Sequence, residues 1–165
     1  MRVLSIFLLT LLSFSYSFGF MVWNDNSQKE IRILKELDIE PKYVNNEYFL
    51  LLKNNRMNTT KQEFINTITK EYKHAAIIKD VLKERNAPDF LLYLAIVESK
   101  LSNRATSGAK AAGIWQFIPS TAKLHNLEVD KYVDERRDPL QATHAAIDYL
   151  ERLKDRFGKW YLAIL

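Results

Sequence analysis

The spacing of apolar residues constrains the fold more than any other feature of this sequence. In the middle of the chain, apolar side chains recur three or four positions apart. The series is Phe64, Ile68, Tyr72, Ala75, Ile78 and Leu82. This spacing places side chains on one face of an α-helix, whereas a half-buried strand alternates with a period of two. Because no segment alternates in that way over a useful length, the sequence predicts an all-α fold.

Local signals predict where the first helices begin and end. Residues 28–38 form an amphipathic segment, and Pro41 is expected to end it. The Thr-Lys-Gln-Glu run at residues 60–63 is typical of a capping box and is expected to open the long helix described above. Asn86 suits the left-handed residue that ends this helix, and Pro88 suits the first turn of the next. The apolar face of the first segment consists of Ile31, Leu34 and Leu37.

Three more helices are predicted in the last third of the chain. The Ser-Thr pair at residues 120–121 resembles the cap of a short helix. Asp138 is expected to cap a longer helix with Pro139 at its first position, and Gly158 is expected to close it. A final apolar helix begins near Trp160. The residues expected to face inward on the longer helix are Ala142, Ala145, Ala146, Tyr149, Leu150 and Leu153.

Composition excludes several classes of protein. The chain has 165 residues, a formal net charge of +4 and no cysteine. This length suits one globular domain, and the absence of cysteine excludes a disulfide framework, a thiolate metal site and an N-terminal lipid-modified cysteine. The charge is compatible with an anionic partner, but no run of five like charges and no nucleic-acid motif is present. The three histidines, His74, His125 and His144, lack metal-ligand spacing, so no metal or other cofactor is expected.

The first residues have the three-part layout of a secretory signal. A short basic start is followed by an apolar run over residues 4–12 and by small residues up to Gly19. We expect residues 1–19 to be a signal peptide and residues 20–59 to be a helical extension. An uncleaved membrane anchor is the alternative, because the apolar stretch up to Trp23 is nearly long enough to span a bilayer. Either arrangement predicts an exported protein of the periplasm or cell envelope.

Glu98 is the acidic residue with the most unusual predicted setting. It follows Leu94 by four positions and Leu91 by seven, so it is expected to share an apolar helix face with Ala95. It is also expected to lie in the last helical turn, where the helix dipole disfavours a negative charge. Both effects favour a protonated carboxyl, which is what a general acid needs. The alternative is a carboxylate at a fraying helix end that points into water.

A glycine-bounded loop follows this helix. Gly108 and Gly113 are two of only four glycines in the chain, and they are expected to permit tight turns and the close approach of a backbone. Trp115, Gln116 and Phe117 come directly afterwards. An aromatic ring beside an amide is a common way to hold a sugar. Core packing of Trp115 and Phe117 is the alternative explanation.

These segments resemble motifs of a known enzyme family. The sequence Ala-Ile-Val-Glu-Ser at residues 95–99 resembles the Glu-Ser motif of the family 23 lytic transglycosylases. Gly-Ile-Trp-Gln-Phe at residues 113–117 is similar to their Gly-Leu-Met-Gln motif, in the Trp-containing form of the membrane-bound lytic transglycosylase D group. The segments at residues 105–109 and 134–138 fit the same group. The resemblance covers residues 60–165 and implies an α-helical, lysozyme-like transglycosylase (SLT) domain.

The resemblance also implies roles for individual residues. Glu98 is implied to be the catalytic residue, and Ser99 to position its carboxyl or the substrate. The cleft near the scissile bond is implied to be lined by Gly113, Ile114, Trp115, Gln116 and Phe117. The acidic and basic residues at 134–138 are expected to hold structure rather than to take part in chemistry.

Counting carboxylates suggests a mechanism. Most glycosidases use two acidic residues across the scissile bond, but no acidic residue lies between Glu98 and Glu128. One carboxyl suffices if the substrate's own acetamido group stabilises the developing cation. The hypothesis is cleavage of peptidoglycan between N-acetylmuramic acid and N-acetylglucosamine, with formation of 1,6-anhydromuramoyl ends. A lysozyme-like muramidase and an inactive peptidoglycan-binding fragment are the alternatives.

The sequence departs from the family at its C-terminal end. The family's Ala-Tyr-Asn motif follows the apolar helix that begins near Trp160, and this sequence stops at Leu165 before reaching it. Glycan-binding repeats that often follow in that group are not present either. We therefore expect residues 60–165 to be a C-terminally incomplete SLT domain. Separately, we expect the protein to be a monomer.

Overall fold

The computed structural model describes residues 26–46 and 62–165. The predicted signal peptide at residues 1–19 and the first two residues of the predicted capping box lie outside these ranges. The helices that we number in chain order are α1 (Asn26–Glu36), α2 (residues 62–70), α3 (Tyr72–Glu84), α4 (Phe90–Ser99), α5 (Pro119–Leu124), α6 (Pro139–Phe157) and α7 (Trp160–Ala163). Two short 3-10 helices cover Pro41–Asn45 and Glu135–Arg137.

The described residues contain isolated β-bridges but no β-strand, so the predicted all-α fold is confirmed. Across residues 26–46 and 62–165, no helix combines the length and the apolar character needed to span a membrane. These residues divide into two compact units: residues 26–46, 62–66 and 154–165 belong to the first, and residues 67–153 form the second. The expected boundary of a catalytic domain at residue 60 stays a prediction.

In the first unit, α1 supports the short helix α7. Leu37 and Asp38 follow α1, and Leu37 is fully buried. The Leu37 carbonyl accepts the Tyr161 N–H at 3.2 Å. Oδ2 of Asp38 accepts the Trp160 N–H at 2.9 Å and thereby caps α7. Asp38 itself has a left-handed φ of 60°. The chain therefore leaves α1 before Pro41, which opens a 3-10 helix instead of ending α1 as predicted.

In the second unit, the predicted long helix is divided at Glu71, where the backbone leaves helical geometry at φ −108° and ψ 31°. Tyr72 was expected to face inward, but it is 61% exposed, so this part of the prediction is wrong. The turn at Glu71 gives α3 its own buried face, which Ala75, Ile78 and Leu82 occupy as predicted. The apolar spacing across residue 71 therefore belongs to two helices, not one.

The end of α3 follows the predicted local signal. Asn86 adopts a left-handed φ of 52°. The Ala87 N–H then bonds the Leu82 carbonyl at 2.9 Å, and the Asn86 N–H bonds the Lys83 carbonyl at 3.3 Å. This pair of bonds is a Schellman motif, which satisfies carbonyls that a helix end leaves unpaired. It reverses the chain into α4, which packs against α3.

The cap predictions for α5 and α6 have different outcomes. The predicted cap of α6 is confirmed, because Oδ1 of Asp138 accepts the N–H groups of Leu140 at 2.8 Å and Gln141 at 2.9 Å. The predicted cap of α5 is wrong, since Ile118 is the N-cap residue and Pro119 occupies the first turn. The Ser-Thr pair at residues 120–121 therefore lies inside α5. The residues of α6 that are buried are Ala142, Thr143, Ala145, Ala146, Ile147 and Leu150.

Candidate functional site

Glu98 is the next-to-last residue of α4, as the sequence predicted. The chain turns away directly behind it, because Lys100 and Leu101 both have left-handed φ angles, of 54° and 60°. The Lys100 N–H closes the helix on the Ile96 carbonyl at 2.8 Å. The Leu101 side chain is fully buried, which fixes this unusual turn in place. These contacts therefore fix Glu98 at the end of α4.

The predicted apolar face of α4 is confirmed at Leu91 and Ala95 but is wrong at Glu98. Eight successive apolar residues open this helix, so spacing alone could not decide which face is buried. The buried residues are Phe90, Leu91, Leu92, Ala95 and Ile96. Leu94 is only half-buried and Glu98 is exposed, so Glu98 does not share the core-facing stripe.

The carboxyl of Glu98 is nevertheless partly desolvated. Burial by the surrounding protein raises the pKa of Glu98 above its usual value, and no charged group among the described residues adds to this shift. Glu98 is thus exposed as a residue, yet nearby protein reduces the hydration of its carboxyl. A carboxyl with a raised pKa stays protonated closer to neutral pH, as a general acid must.

Ser99 connects the end of α4 to the loop that follows. Its hydroxyl donates to the Ile114 carbonyl at 2.8 Å, across fifteen residues of sequence. The hydrogen bond therefore holds the turn at residues 113–116 against the helix end that carries Glu98. In this way the structure brings together the two motifs that the sequence had singled out separately.

The turn at residues 113–116 is closed from both sides. Ala112 and Phe117 form an isolated antiparallel bridge, with the Ala112 N–H bonded to the Phe117 carbonyl at 3.0 Å. Gln116 has a left-handed φ of 49°. Its side-chain Nε2 donates to the Gly113 carbonyl at 2.8 Å, which fixes its amide over the turn. Among the predicted substrate-binding residues of this turn, Gln116 is the one with a partly exposed side chain.

Gly113 sits where no other residue fits without displacement. Its φ of 77° is in the region that favours glycine, and a Cβ there would lie 1.7 Å from the Arg136 carbonyl oxygen. The expected close approach of a backbone is confirmed at Gly113. Gly108 differs, because a Cβ at that position would meet nothing within 4 Å.

Ile114, Trp115 and Phe117 lie in the interior, with exposed fractions of 1%, 8% and 5%. The indole Nε1 of Trp115 donates to Oγ1 of Thr143 on α6 at 3.0 Å, which satisfies the buried polar atom. These side chains thus anchor the turn from beneath, in line with the core-packing alternative for Trp115 and Phe117. The predicted role of Ile114, Trp115 and Phe117 in substrate binding stays a prediction.

Arg136 holds both sides of the turn, a role that sequence reasoning missed. Its guanidinium is buried, and Nη1 donates to the carbonyls of Lys110 at 2.8 Å and Phe117 at 3.1 Å. Its Nε and Nη2 form a fork with the two carboxylate oxygens of Asp134, at 2.7 Å and 2.9 Å. Hydrogen bonding to Arg136 lowers the pKa of Asp134. Residues 134–138 were predicted to have a structural role. The partners of Arg136, at Lys110 and Phe117, are too distant in sequence to be predicted from the local pattern.

Arg137 secures an earlier part of the same loop. Its Nη2 donates to Oγ1 of Thr106 at 2.8 Å, and its Nη1 contacts the Asn103 carbonyl at 3.3 Å. Its Nε lies 3.3 Å from Oδ2 of Asp134. Two adjacent arginines therefore anchor the loop over residues 103–117 to a common carboxylate.

His74 and His125 pack against other parts of the protein. Nδ1 of His74 lies 2.9 Å from the Leu101 carbonyl, which can only accept, so Nδ1 carries the proton. The ring of His125 packs at 4.8 Å from that of Tyr149, and burial lowers the pKa of His125. Within the described ranges, no three His, Asp or Glu side chains are grouped so that they could hold a metal ion.

Comparison with known proteins adds an independent finding. The family model described as Transglycosylase SLT domain matches residues 75–165, more than half of the chain. Over 121 residues, 67% of this chain, the sequence is 38% identical to membrane-bound lytic murein transglycosylase D of Escherichia coli strain K12, and it covers 26% of that protein. The protein of the same name from Escherichia coli O6:H1 matches equally well.

A third relative is the putative tributyltin chloride resistance protein of Alteromonas sp. strain M-1. The identity is 36% over 84 residues, which cover 50% of this chain and 41% of that protein. The chain thus spans less than half the length of each of these curated relatives. The matched residues 75–165 include both Glu98 and the turn at residues 113–116.

Proposed function

Because the chain belongs to the transglycosylase SLT domain family, we propose that it is a peptidoglycan lytic transglycosylase with Glu98 as its catalytic residue. The observation that carries this proposal is the setting of Glu98, an accessible carboxyl whose pKa is raised by burial. The substrate is the β-1,4 bond between N-acetylmuramic acid and N-acetylglucosamine. The relatives named as lytic murein transglycosylases support this choice of substrate.

In the proposed reaction, Glu98 acts first as an acid and then as a base. The protonated carboxyl donates its proton to the glycosidic oxygen, and the bond from that oxygen to the muramoyl anomeric carbon breaks. The resulting carboxylate accepts the proton of the muramoyl 6-hydroxyl, whose oxygen forms a new bond to the same anomeric carbon. The products are a free N-acetylglucosamine 4-hydroxyl and a 1,6-anhydromuramoyl end. No water is consumed, and the scheme needs no cofactor.

A single carboxyl is adequate because the second carboxylate of an ordinary glycosidase has two tasks that the substrate can perform here. The acetamido group stabilises the positive charge at the anomeric carbon, and the 6-hydroxyl replaces the nucleophile. Burial as the cause of the raised pKa, without an acidic neighbour among the described residues, fits a one-carboxyl site. Glu98 then regains its proton in each cycle.

The turn at residues 113–116 is proposed to receive the sugar. Gln116 offers a partly exposed amide, and Gly113 lets the backbone of the turn lie close to the supporting chain. Ile114, Trp115 and Phe117 shape the turn from below, and their contribution to binding is through the backbone. Ser99 positions this turn beside Glu98 through its bond to the Ile114 carbonyl.

We further propose an exported, monomeric protein of the cell envelope. The substrate lies outside the inner membrane, and the layout of residues 1–19 is that of a signal peptide. Residues 20–59 would then form an extension before the catalytic domain at residues 60–165. The Escherichia coli relatives are named as membrane-bound, which fits the same compartment.

The products of digestion test the proposed function. Purified peptidoglycan is incubated with the protein or with its Glu98→Gln variant, and the released muropeptides are analysed by mass spectrometry. We expect 1,6-anhydro ends, each lighter by one water than a hydrolysed end, from the unaltered protein only. Reducing ends in their place would identify a muramidase. Equal activity of the two proteins would show that Glu98 is not the catalyst.

A further inference from the structure

The buried guanidinium of Arg136 reaches the segments before and after the turn at residues 113–116. Lys110 precedes the turn and Phe117 follows it, and Nη1 of Arg136 donates to the carbonyls of both. Asp134 occupies the remaining edge of the guanidinium, with one carboxylate oxygen on Nε and the other on Nη2. The planar fork of arginine allows this arrangement, whereas a lysine ammonium cannot reproduce it.

The main chain of Arg136 contacts the same turn. Its carbonyl oxygen lies where a Cβ on Gly113 would be, so the two backbones touch without a side chain between them. The Arg136 side chain therefore holds the residues before and after the turn, at Lys110 and Phe117. Its backbone carbonyl packs against Gly113, the first residue of the turn. From Ile114 in this turn, the hydrogen bond to Ser99 leads directly to the helix end at Glu98.

We propose that the Asp134–Arg136 pair is a positioning device for the reaction, because it sets the place of the turn at residues 113–116 relative to the carboxyl of Glu98. This inference rests on the proposed function. Neither Asp134 nor Arg136 is assigned a contact with substrate. Both act through the turn, so loosening the pair misplaces the sugar that the turn holds. Small errors of position cost much rate, since a misplacement of about 1 Å is enough for losses of around a hundredfold.

The competing explanation is that the pair only stabilises the fold. A purely structural ion pair changes the free energy of unfolding but leaves the kinetics of the folded molecules as they were. A positioning pair lowers kcat of fully folded protein more than it changes KM, because neither Asp134 nor Arg136 is assigned a contact with the sugar. The two explanations therefore differ in kcat measured well below the melting temperature.

Arg85 supplies the matched control. It is a partly exposed arginine of the second unit that is likewise paired with carboxylates, and its Nη2 contacts Asp148 at 2.6 Å and Glu151 at 3.3 Å. These contacts join α3 to α6 and do not involve the loop over residues 103–117. Arg85→Lys is therefore expected to lower the melting temperature without a change in kcat.

The experiment compares the unaltered protein with Arg136→Lys, Asp134→Asn and Arg85→Lys. Each is assayed for release of 1,6-anhydro muropeptides, at a temperature well below all four melting temperatures. Hydrogen exchange of the Ala112 and Gly113 amides is measured in parallel, because these amides bond within the loop to the carbonyls of Phe117 and Ala105. Loop order is thus recorded independently of activity.

We expect Arg136→Lys to lower kcat about tenfold or more with KM within about twofold, and Asp134→Asn to act in the same direction. In both variants the two loop amides should exchange faster, and in Arg85→Lys they should not. Equal kcat in Arg136→Lys and Arg85→Lys, or unchanged exchange of the loop amides, would overturn the inference. If the unaltered protein releases no anhydro product, the proposed function fails first, and the catalytic part of this inference falls with it.

Discussion

A single carboxyl, that of Glu98, carries the proposed chemistry, and its surroundings determine the pKa on which that chemistry depends. Glu98 lies at the exposed end of α4, yet burial raises its pKa. Sequence reasoning anticipated the raised pKa from two causes, an apolar helix face and the helix dipole. The structure replaces the first cause, because desolvation acts on a carboxyl that is accessible rather than one that faces the core. An exposed residue with a partly desolvated carboxyl can meet a substrate and still hold its proton at a higher pH than an ordinary glutamate.

The pH dependence of the reaction follows from the direction of this shift. The acid form of Glu98 is required for the first step, so kcat/KM should fall as pH rises through the raised pKa of this group. The measurement is the initial rate of anhydro-muropeptide release between pH 4 and pH 9. Glu98→Gln should lower kcat by about 10²- to 10⁴-fold at low pH, where the carboxyl is protonated, and this difference should shrink as pH rises. A variant that kept the same pH profile would place the titrating acid elsewhere.

Gly113 and Gly108 give a second test at the level of single residues. Gly113→Ala should destabilise the protein by at least about 1–2 kcal/mol, because a left-handed φ alone costs about that much, and the new Cβ would overlap the Arg136 carbonyl. Gly108→Ala is the control, since its Cβ would meet no atom within 4 Å. Urea unfolding of both variants measures the difference. Equal midpoints would contradict the packing described for Gly113.

Helix ends show which features sequence can predict. Asn86, Asp138 and Gly158 were recognised correctly, because each acts on backbone groups only a few residues away. The buried face of α4 was predicted only in part, with Glu98 placed on it wrongly, since an apolar run offers no contrast between faces. The partners of Arg136 were also missed, because its bonds to Lys110 and Phe117 join residues 26 and 19 positions apart. Local chemistry is readable from sequence, but contacts between distant segments need the fold.

The two predicted caps provide a matched pair of variants. Asp138→Ala removes the acceptor for two N–H groups at the start of α6 and should cost about 1 kcal/mol. Ser120→Ala should change stability by no more than about 0.5 kcal/mol, because Ser120 is exposed inside α5 and does not cap it. Thermal unfolding followed by circular dichroism measures both. A larger loss for Ser120→Ala would mean that the cap of α5 has been assigned to the wrong residue.

For the whole molecule, the proposed catalytic role of Glu98 is coupled to the stability of the fold. Its pKa is raised in the folded state, so the folded protein binds more protons than the unfolded chain as pH rises past the ordinary value for glutamate. Stability contributed by the protonated form is therefore present at low pH and lost as pH rises through the folded pKa. Above the folded pKa, Glu98 is a desolvated carboxylate, which lowers the free energy of unfolding. An uncharged side chain at this position would not carry that cost.

Glu98→Gln should therefore raise the melting temperature at pH 7, and this gain should disappear at about pH 3, where the carboxyl is protonated in both states. Differential scanning calorimetry of the two proteins across this range measures the effect. The expected trade is common at catalytic sites, where activity is kept at some cost in stability. Identical melting temperatures at pH 7 would show that the charged carboxyl costs no more free energy in the folded protein than in the unfolded chain.

The two left-handed residues behind Glu98 also limit how the chain length can vary. One residue inserted into α4 ahead of Glu98 would rotate the carboxyl by about 100° and advance it by about 1.5 Å. Neither end of α4 has slack to absorb this, because the Schellman motif at Asn86 fixes its start and the buried Leu101 fixes its end. Insertions and deletions between these two residues should be poorly tolerated. The exposed tip at residues 130–133 can change length with far less effect on the site.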